Sequence, residues 1–279
     1  MRKKSLLVVL SLFVMMMLLA GCGGGGGEEN AGGESGGTFT VGMEAGYPPF
    51  NWTQMDDSNG AVPIDGNKEF AGGYDVEIAK KIAEGLGKEL VISKIEWDGL
   101  IPALVSGKID AIIAGMSPTA ERKETIDFSD NYYKSDLVIV VKAGSPYEKA
   151  ASIQDFNGAK ITAQLNTFHY TVIDQIEGVK KQAAMESFPA MRVALESGMI
   201  DGYVSERPEG VSAEAANPNF KMVEFTEGFE TSEEDTAIAV GLAKGSELTE
   251  EINKILAGIS EEDQITIMDT AIKNQPAAQ

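Results

Sequence analysis

The chain has 279 residues, 43% of them hydrophobic, and a formal net charge of −20 at pH 7. Such an acidic chain is poorly suited to the phosphate backbone of nucleic acids, so we exclude a nucleic-acid partner. The chain contains a single cysteine and a single histidine. It therefore cannot form an intramolecular disulfide and has few ligands for a transition metal, and we predict neither a metal nor a cofactor.

The first 22 residues have the pattern of a secretory signal segment. Three basic residues precede a nearly continuous apolar run, residues 6–19, which is too short to span a bilayer comfortably. The junction Leu-Ala-Gly-Cys resembles the lipobox of bacterial lipoproteins, which implies that Cys22 becomes the first residue and carries the lipid, including palmitate. The alternative is a plain signal peptide with an incidental cysteine.

Residues 23–37 are mostly glycine and glutamate and predict a flexible tether, because they have little to bury. We therefore expect a globular body held by lipid at the outer face of the cell membrane. Without the three basic residues of the signal segment, the formal charge becomes −23. This charge suits a soluble surface and mildly favours cationic ligands.

The body alternates predicted strands and helices. The predicted strands are residues 38–43, 90–93 and 159–164, and the predicted helices are residues 74–87 and 170–177. Near the C terminus, apolar residues at helical spacing predict one more helix, and Ser260 to Asp263 matches a capping box before a last helix. This alternation predicts an α/β fold with mainly parallel sheets flanked by helices.

One junction occurs twice, 91 residues apart: SGKIDAIIAG runs from Ser106 to Gly115, and SGMIDGYVSE runs from Ser197 to Glu206. Each copy predicts a helix that ends at a glycine with positive φ and is followed by a buried strand. Two such units predict two lobes, and the ends of both strands, Gly115 and Glu206, are expected to line a shared cleft. The alternative is two unrelated junctions that look alike.

The stretch GMSPTAERK, residues 115–123, predicts a carboxylate site. Ser117 is expected to cap a helix that begins at Pro118. The start of a helix favours an anion, and the guanidinium of Arg122 can bind a carboxylate through two N–H groups. The alternative is a capped helix whose Arg122 faces solvent beside a neighbouring glutamate.

Four segments of the body resemble one known family. They are GMEAGYPPF (Gly42 to Phe50), GGYDVEIAKKIA (Gly72 to Ala83), WDGLIPALVSGKIDAIIAGMSPTAERK (Trp97 to Lys123) and IDFSDNYY (Ile126 to Tyr133). Together they resemble the family-3 extracellular solute-binding proteins of polar amino-acid ABC importers. The resemblance covers residues 38–246 and is looser in the second half.

This resemblance implies a two-lobed, type II periplasmic-binding-protein-like fold with the ligand in the interlobe cleft. It assigns residues 38–134 and 236–279 to lobe 1 and residues 135–235 to lobe 2. It also implies a monomer without enzymatic activity, whose partners are a free amino acid and an ABC permease with its ATPase.

The resemblance also assigns ligand contacts. Arg122 would hold the α-carboxylate with Ser117 and the main chain at Met116, while the Gly115 carbonyl would accept a hydrogen bond from the α-ammonium. Glu206 would pair with that ammonium from the other lobe.

The remaining contacts implied by the resemblance are those of the side-chain pocket and of one loop. The implied residues are Tyr47 and Trp97 as walls, Phe50 beside them, Glu44 at the polar end, and Thr167 with the N–H of Phe168 on the carboxylate. Three departures from the family pattern stand out: Asn166 in place of glycine, the bulky Phe168 and His169, and the long segment 51–72, which we predict to form a flap. His169 would either reach the ligand or be structural.

Glu44 beside aromatic walls suits a cationic side chain through ion pairing and cation–π contact. We therefore expect lysine, arginine or histidine as the ligand, with glutamine or another neutral polar amino acid as the alternative. A dehydratase-type enzyme on the same scaffold and the sensing module of a receptor are the other classes considered. Zwitterion binding already accounts for the polar cleft residues, and an enzyme would need a further acid or base.

Overall fold

The computed structural model of the protein describes residues 36–276. The predicted signal segment, Cys22 and residues 23–35 of the predicted tether lie outside the described residues, as do the last three residues. Between residues 36 and 276, no helix combines the length and apolar character needed to cross a membrane.

Strands and helices alternate along the chain, as the sequence predicts. In the first half the elements are β1 (Thr38–Met43), β2 (Gly46–Tyr47), β3 (Asn51–Gln54), β4 (Val62–Pro63), β5 (Phe70–Gly72), α1 (Tyr74–Gly85), β6 (Glu89–Lys94), α2 (Leu100–Val105), β7 (Ala111–Ile112), α3 (Ala120–Thr125) and β8 (Asp127–Lys134). In the second half they are β9 (Leu137–Lys142), β10 (Lys160–Thr162), α4 (Phe168–Val172), β11 (Lys180–Lys181), α5 (Phe188–Ser197), β12 (Gly202–Glu206), α6 (Arg207–Ala216), β13 (Phe220–Val223), β14 (Ala237–Leu242), α7 (Thr249–Ala257) and α8 (Glu261–Asn274).

The first sheet has the strand order β6-β1-β7-β14-β8. Strand β1 pairs in parallel with β6 and β7, whereas β14 pairs antiparallel with β7 and β8. Helix α1 packs against β6, α7 and α8 and buries Val76, Ala79 and Ile82, three residues whose spacing predicts one apolar face. The capping box predicted at Ser260 begins α8.

The second sheet has the same design, with the strand order β11-β10-β12-β9-β13. Strand β10 pairs in parallel with β11 and β12, and β9 pairs antiparallel with β12 and β13. Every antiparallel pair in these two sheets includes β9 or β14. Strand β9 is the first strand after the chain crosses to the second sheet, and β14 is the first strand after it crosses back, so both sheets are mixed.

A third, antiparallel sheet with the order β2-β3-β5-β4 contains the segment 51–72 that is predicted to form a flap. A bridge between Ile64 and Ile92 joins it to the first sheet. We call these two sheets with their helices lobe 1, and the second sheet with its helices lobe 2. The chain crosses between the lobes after β8 and after β13, and the N–H of Ser135 bonds the carbonyl of Thr236 across the two crossings (3.0 Å). The predicted two-lobed α/β fold is confirmed.

The repeated junction occupies the same place in both lobes. Helix α2 leads into β7 and helix α5 leads into β12, and each of these strands has a neighbour on both sides. Gly107 and Gly198 end the two helices with φ of 72° and 77°, the left-handed conformation that the pattern predicts. The two junctions are therefore equivalent in structure as well as in sequence.

The aspartate of each junction explains why the pattern recurs. Asp110 accepts a hydrogen bond from the N–H of Thr40 (2.8 Å), and Asp201 accepts one from the N–H of Lys160 (2.8 Å). The N–H of Asp110 in turn donates to the carbonyl of Thr40, and the N–H of Asp201 donates to the carbonyl of Lys160, both at 2.8 Å. This double link fixes the start of the junction strand against its parallel neighbour, and so fixes where the far end of the strand emerges.

Candidate functional site

The two lobes enclose a small space between the ends of β7 and β12. Its lining residues are Tyr47, Trp97, Gly115, Ser117 and Arg122 from lobe 1, and Gln164, Thr167, Phe168, His169 and Glu206 from lobe 2. The enclosed volume is about 10 Å³, which is room for about one water molecule. An amino acid can therefore enter only when the lobes move apart.

Larger spaces elsewhere on the molecule differ in character. One of them, about 710 Å³, is an open groove beside the third sheet, and acids there such as Asp56 and Glu196 are exposed. The space between the lobes is smaller, but it gathers buried ionisable groups from both of them. We therefore take it as the candidate site.

Gly115 follows β7 and has φ of +63°, a conformation that strains other residues. A Cβ atom there would lie 2.8 Å from Cε1 of Tyr47. Only glycine lets the main chain pass this close to the tyrosine ring. The first junction therefore ends in a glycine where the second ends in a glutamate.

A buried polar network supports Gly115 from behind. Its N–H donates to the hydroxyl of Tyr132 (3.4 Å), which donates to Asp75 (2.8 Å), and Asp75 also accepts from the side chain of Asn51 (2.8 Å). Burial raises the pKa of Asp75 to about 6. The sequence analysis did not identify Asp75, although it lies in the GGYDVE segment that carries part of the family resemblance.

The predicted helix start at Ser117 is wrong. Thr119 is the N-cap of α3, because its hydroxyl accepts a hydrogen bond from the N–H of Arg122 (3.4 Å), and Pro118 precedes this cap. Ser117 is buried, and its carbonyl accepts a hydrogen bond from Nη1 of Arg122 (2.9 Å). Ser117 thus holds the arginine in the cleft and does not start the helix.

The guanidinium of Arg122 joins the two lobes. Besides its bond to Ser117, its Nη2 donates to the carbonyl of Asn166 in lobe 2 (3.2 Å), and the group lies 5.1 Å from the ring centre of Trp97. Burial lowers the pKa of Arg122 to about 10, so it stays charged at neutral pH. Arg122 therefore faces the cleft and not solvent, and part of its five-donor fork remains for a further acceptor.

Glu206, at the end of β12, is 2% exposed and lies deep in the cleft. Its Oε1 atom is 3.0 Å from Nε2 of His169. Within residues 36–276, neither Oε2 of Glu206 nor either imidazole nitrogen has an aligned hydrogen-bond partner. Burial is the main reason that the pKa of Glu206 rises to about 8, and the charge of Glu209 adds to it.

Glu44 approaches the same space from lobe 1. Its Oε2 accepts a hydrogen bond from Nε2 of Gln164 in lobe 2 (2.9 Å), while Oε1 has no partner in the described part of the chain. Burial raises the pKa of Glu44 to about 7, against the opposing effect of the Gln164 hydrogen bond. Gln164 is not among the predicted site residues, although it lies only three residues before the predicted Thr167.

Aromatic rings form the wall beside these carboxyl groups. Tyr47 stacks on Phe188 of lobe 2 with ring centres 4.1 Å apart, and Phe50 packs behind it at 5.0 Å. Phe188 stands 91 residues after Trp97, the same offset that separates the two junctions, but it is not among the predicted site residues. The stack places a hydrophobic contact of both lobes next to the charged groups.

The loop before α4 replaces the glycine of the family pattern with Asn166. This residue has φ of 55°, which asparagine tolerates better than most residues. Its side chain donates to Asp98 of lobe 1 (2.9 Å). The hydroxyl of Thr167 donates to the carbonyl of Gln164 (2.7 Å), and Phe168 begins α4.

Eight of the eleven predicted ligand residues line the enclosed space, and three do not. Glu44 reaches its edge through Gln164, Phe50 supports Tyr47, and Met116 is buried with its carbonyl bonded to the N–H of Ala239 (3.1 Å). Their contacts with a ligand stay predictions.

Known proteins that are similar in sequence to this chain include amino-acid-binding proteins. The arginine-binding extracellular protein ArtP of Bacillus subtilis is 29% identical over 241 residues, which cover 84% of this chain and 86% of ArtP. A probable histidine-binding protein of Campylobacter jejuni is 32% identical over 237 residues, covering 85% of this chain and 84% of that protein.

Among solved structures, an amino acid ABC transporter substrate-binding protein of Streptococcus pneumoniae bound to L-arginine superposes with a TM-score of 0.75. The two are 26% identical, and the match covers 85% of this chain and 94% of that one. A family profile described as "Bacterial extracellular solute-binding proteins, family 3" matches residues 39–271. The chain therefore belongs to the bacterial extracellular solute-binding proteins, family 3.

Proposed function

We propose that this protein captures a cationic L-amino acid, namely lysine, arginine or histidine, between its lobes for an ABC importer. One observation carries the proposal. Buried Glu206 lines the cleft that also holds Arg122, buried Glu44 reaches the edge of that cleft through Gln164, and each has a carboxyl oxygen without a partner among the described residues. Unpartnered polar atoms in such a place are costly unless a ligand satisfies them.

An amino acid carries the complementary charges. Its α-carboxylate suits Arg122, with Thr167 and the N–H of Phe168 beside it, and its α-ammonium suits Glu206 and the carbonyl of Gly115. Because Arg122 belongs to lobe 1 and Glu206 to lobe 2, a zwitterion bound to both stabilises the closed arrangement. Binding and closure are then a single equilibrium.

Our proposal that the ligand has a cationic side chain is based on Glu44. This residue bonds Gln164, which lines the cleft together with Tyr47. A carboxylate and an aromatic face both attract a cation. The similarity to an arginine-binding protein and to an arginine-bound structure supports this choice.

Glutamine is the alternative, and one contact favours it. The hydrogen bond from Gln164 and the raised pKa of Glu44 suit a neutral polar pair, which could bind an amide as well as a cation. The relatives are solute-binding proteins, and we propose no catalytic step. The released amino acid would pass to a membrane permease driven by its ATPase, with the binding protein acting as a monomer.

We further propose that Cys22 carries the lipid that holds the protein at the outer face of the membrane, and that residues 38–134 with 236–279 form lobe 1. A Cys22→Ala variant would then leave the membrane fraction. Variant protein that stays with the membrane would contradict the anchor.

A thermal-shift screen of the twenty amino acids tests the proposed function. A ligand that binds only the folded state raises the melting temperature, and above Kd the stabilisation grows with the logarithm of the ligand concentration. We expect the largest shifts with lysine, arginine or histidine. A chain that responds to none of the twenty would contradict the proposal.

A further inference from the structure

Glu206 and His169 form a close pair of ionisable groups within lobe 2. The two side chains come from the end of β12 and the start of α4, are 2% and 5% exposed, and approach to 3.0 Å. The ring of Phe168 covers the imidazole at 4.4 Å between ring centres. The pair is therefore shielded from water when the lobes are together.

Charged groups around the pair limit the number of protons that it can hold. From lobe 1, Arg122 opposes a second positive charge on His169. From α6, Glu209 opposes a negative charge on Glu206, and burial opposes it more strongly. Glu44, across the cleft, is the other buried carboxyl near this space. One proton shared by the two side chains is the arrangement that leaves the fewest uncompensated charges.

We propose that the Glu206–His169 pair holds one proton in the free protein and that the α-ammonium of the incoming amino acid displaces it, so that capture releases a proton. The inference rests on the proposed function, since it uses the ligand's ammonium as the partner of Glu206. His169 is a positioning residue in this scheme: it acts on the ligand through the carboxyl group of Glu206.

The pKa values of Glu206 and His169 determine whether the affinity for the ligand rises or falls with pH. Burial raises the pKa of Glu206 to about 8, while burial and then the charge of Arg122 lower the pKa of His169 to about 3. Near pH 7 the proton is therefore on Glu206, and a bound ammonium requires the ionised carboxylate. Affinity should rise with pH up to about 8, by at most tenfold for each pH unit.

Calorimetric titration of the full chain with L-arginine at pH 7, in buffers with different ionisation enthalpies, counts the released protons. We expect His169→Gln to release about one proton fewer than the wild type, because the amide of glutamine can donate to Glu206 and favour its ionised form. Glu44 is present in both proteins, so any proton that it contributes cancels in the comparison. Tyr170→Phe, on the same helix with its hydroxyl bonded to Gln182 outside the cleft, is the matched control and should release as many protons as the wild type.

The wild type offers a second measurement that needs no variant. His169 is the only histidine of the chain, so one imidazole signal can be followed by NMR between pH 5.5 and 8. We expect that signal to change with pH in the free protein and to lose this change when the protein is saturated with arginine. Equal proton release by wild type and His169→Gln, or an imidazole titration that arginine leaves unchanged, would overturn the inference. Arginine binding with either result keeps the proposed function, whereas an absence of binding to any amino acid would overturn both.

Discussion

Gln164 of lobe 2 donates a hydrogen bond to Glu44 of lobe 1 across the closed cleft, with 2.9 Å between Nε2 and Oε2. The same amide nitrogen also donates to the carbonyl of Glu186 (3.1 Å), which fixes its position. One oxygen of Glu44 is thus held by lobe 2, while the other has no partner among the described residues. Substitution of Glu44 is therefore the most direct test of which amino-acid side chain the cleft prefers.

A Glu44→Gln variant should lose about tenfold in affinity for arginine and less for glutamine, because it removes the charge that attracts a cation and keeps a polar group. Competitive binding of the two amino acids measures the change in preference. The half-buried Glu69, also of lobe 1 and paired with Lys94 (3.4 Å), supplies the control Glu69→Gln, which should keep the preference of the wild type. An unchanged preference in Glu44→Gln would show that Glu44 does not contribute to recognition of the ligand's side chain.

Arg122→Ala should weaken amino-acid binding by about 100-fold or more, since the α-carboxylate would be enclosed without its cation. The neighbouring Lys123 is the matched control, because it pairs with Glu234 outside the cleft (2.7 Å). Lys123→Ala should bind as the wild type does in calorimetric titration. Retained affinity in Arg122→Ala would show that Arg122 does not bind the α-carboxylate of the ligand.

Glu206→Gln should weaken binding by about 10- to 100-fold, because the ligand ammonium would face a neutral amide in a buried site. Glu224→Gln is the control: Glu224 belongs to lobe 2, is exposed and pairs with Arg207. Fluorescence or calorimetric titration of both variants compares them directly. Wild-type affinity in Glu206→Gln would contradict a site shared between the lobes.

Three buried carboxyl groups predict how the stability of the ligand-free protein depends on pH. The pKa values of Asp75, Glu44 and Glu206 rise to about 6, 7 and 8, above those of the unfolded chain. A raised pKa contributes stability that is complete below the unfolded pKa and is lost as the pH rises through the folded value. The melting temperature should therefore fall between pH 5 and pH 8.

Other groups do not reverse this trend. The lowered pKa of His169, about 3, acts in the opposite direction up to about pH 6.5, but it is one group against three carboxyl groups. Groups whose pKa is lowered, such as Asp127 and Asp263, hold exposed hydrogen bonds and lose their contribution only below about pH 4. A melting temperature that is constant or rises between pH 5 and pH 8 would show that the three buried carboxyl groups are ionised throughout the range.

Local patterns were sufficient to predict the lobes. The repeated Ser-Gly-x-Ile-Asp junction acts through neighbours that are close in the fold, as the bonds of Asp110 to Thr40 and of Asp201 to Lys160 show. Apolar periodicity likewise places α1 on its sheet. The sequence could also place Arg122 and Glu206 at the cleft, because Glu206 is the last residue of the central strand β12 and Arg122 lies in the segment that follows the central strand β7.

Contacts that depend on how the lobes meet could not be predicted in the same way. The bond between Glu44 and Gln164 joins residues 120 positions apart, and the stack of Tyr47 on Phe188 exists only because two separate sheets face each other. The error at Ser117 has a local cause: two hydroxyl residues flank Pro118, and Thr119, not Ser117, accepts the N–H of Arg122. Hydroxyl residues on both sides of a proline leave the helix start ambiguous.

Calorimetric titration of the purified protein with L-arginine, L-lysine, L-histidine and L-glutamine at pH 7.5 measures whether the cleft binds a free cationic amino acid through both lobes. We expect one ligand per chain, with the tightest binding among the first three. Tight binding of glutamine or another neutral amino acid, with no heat from arginine, lysine or histidine, would contradict this expectation.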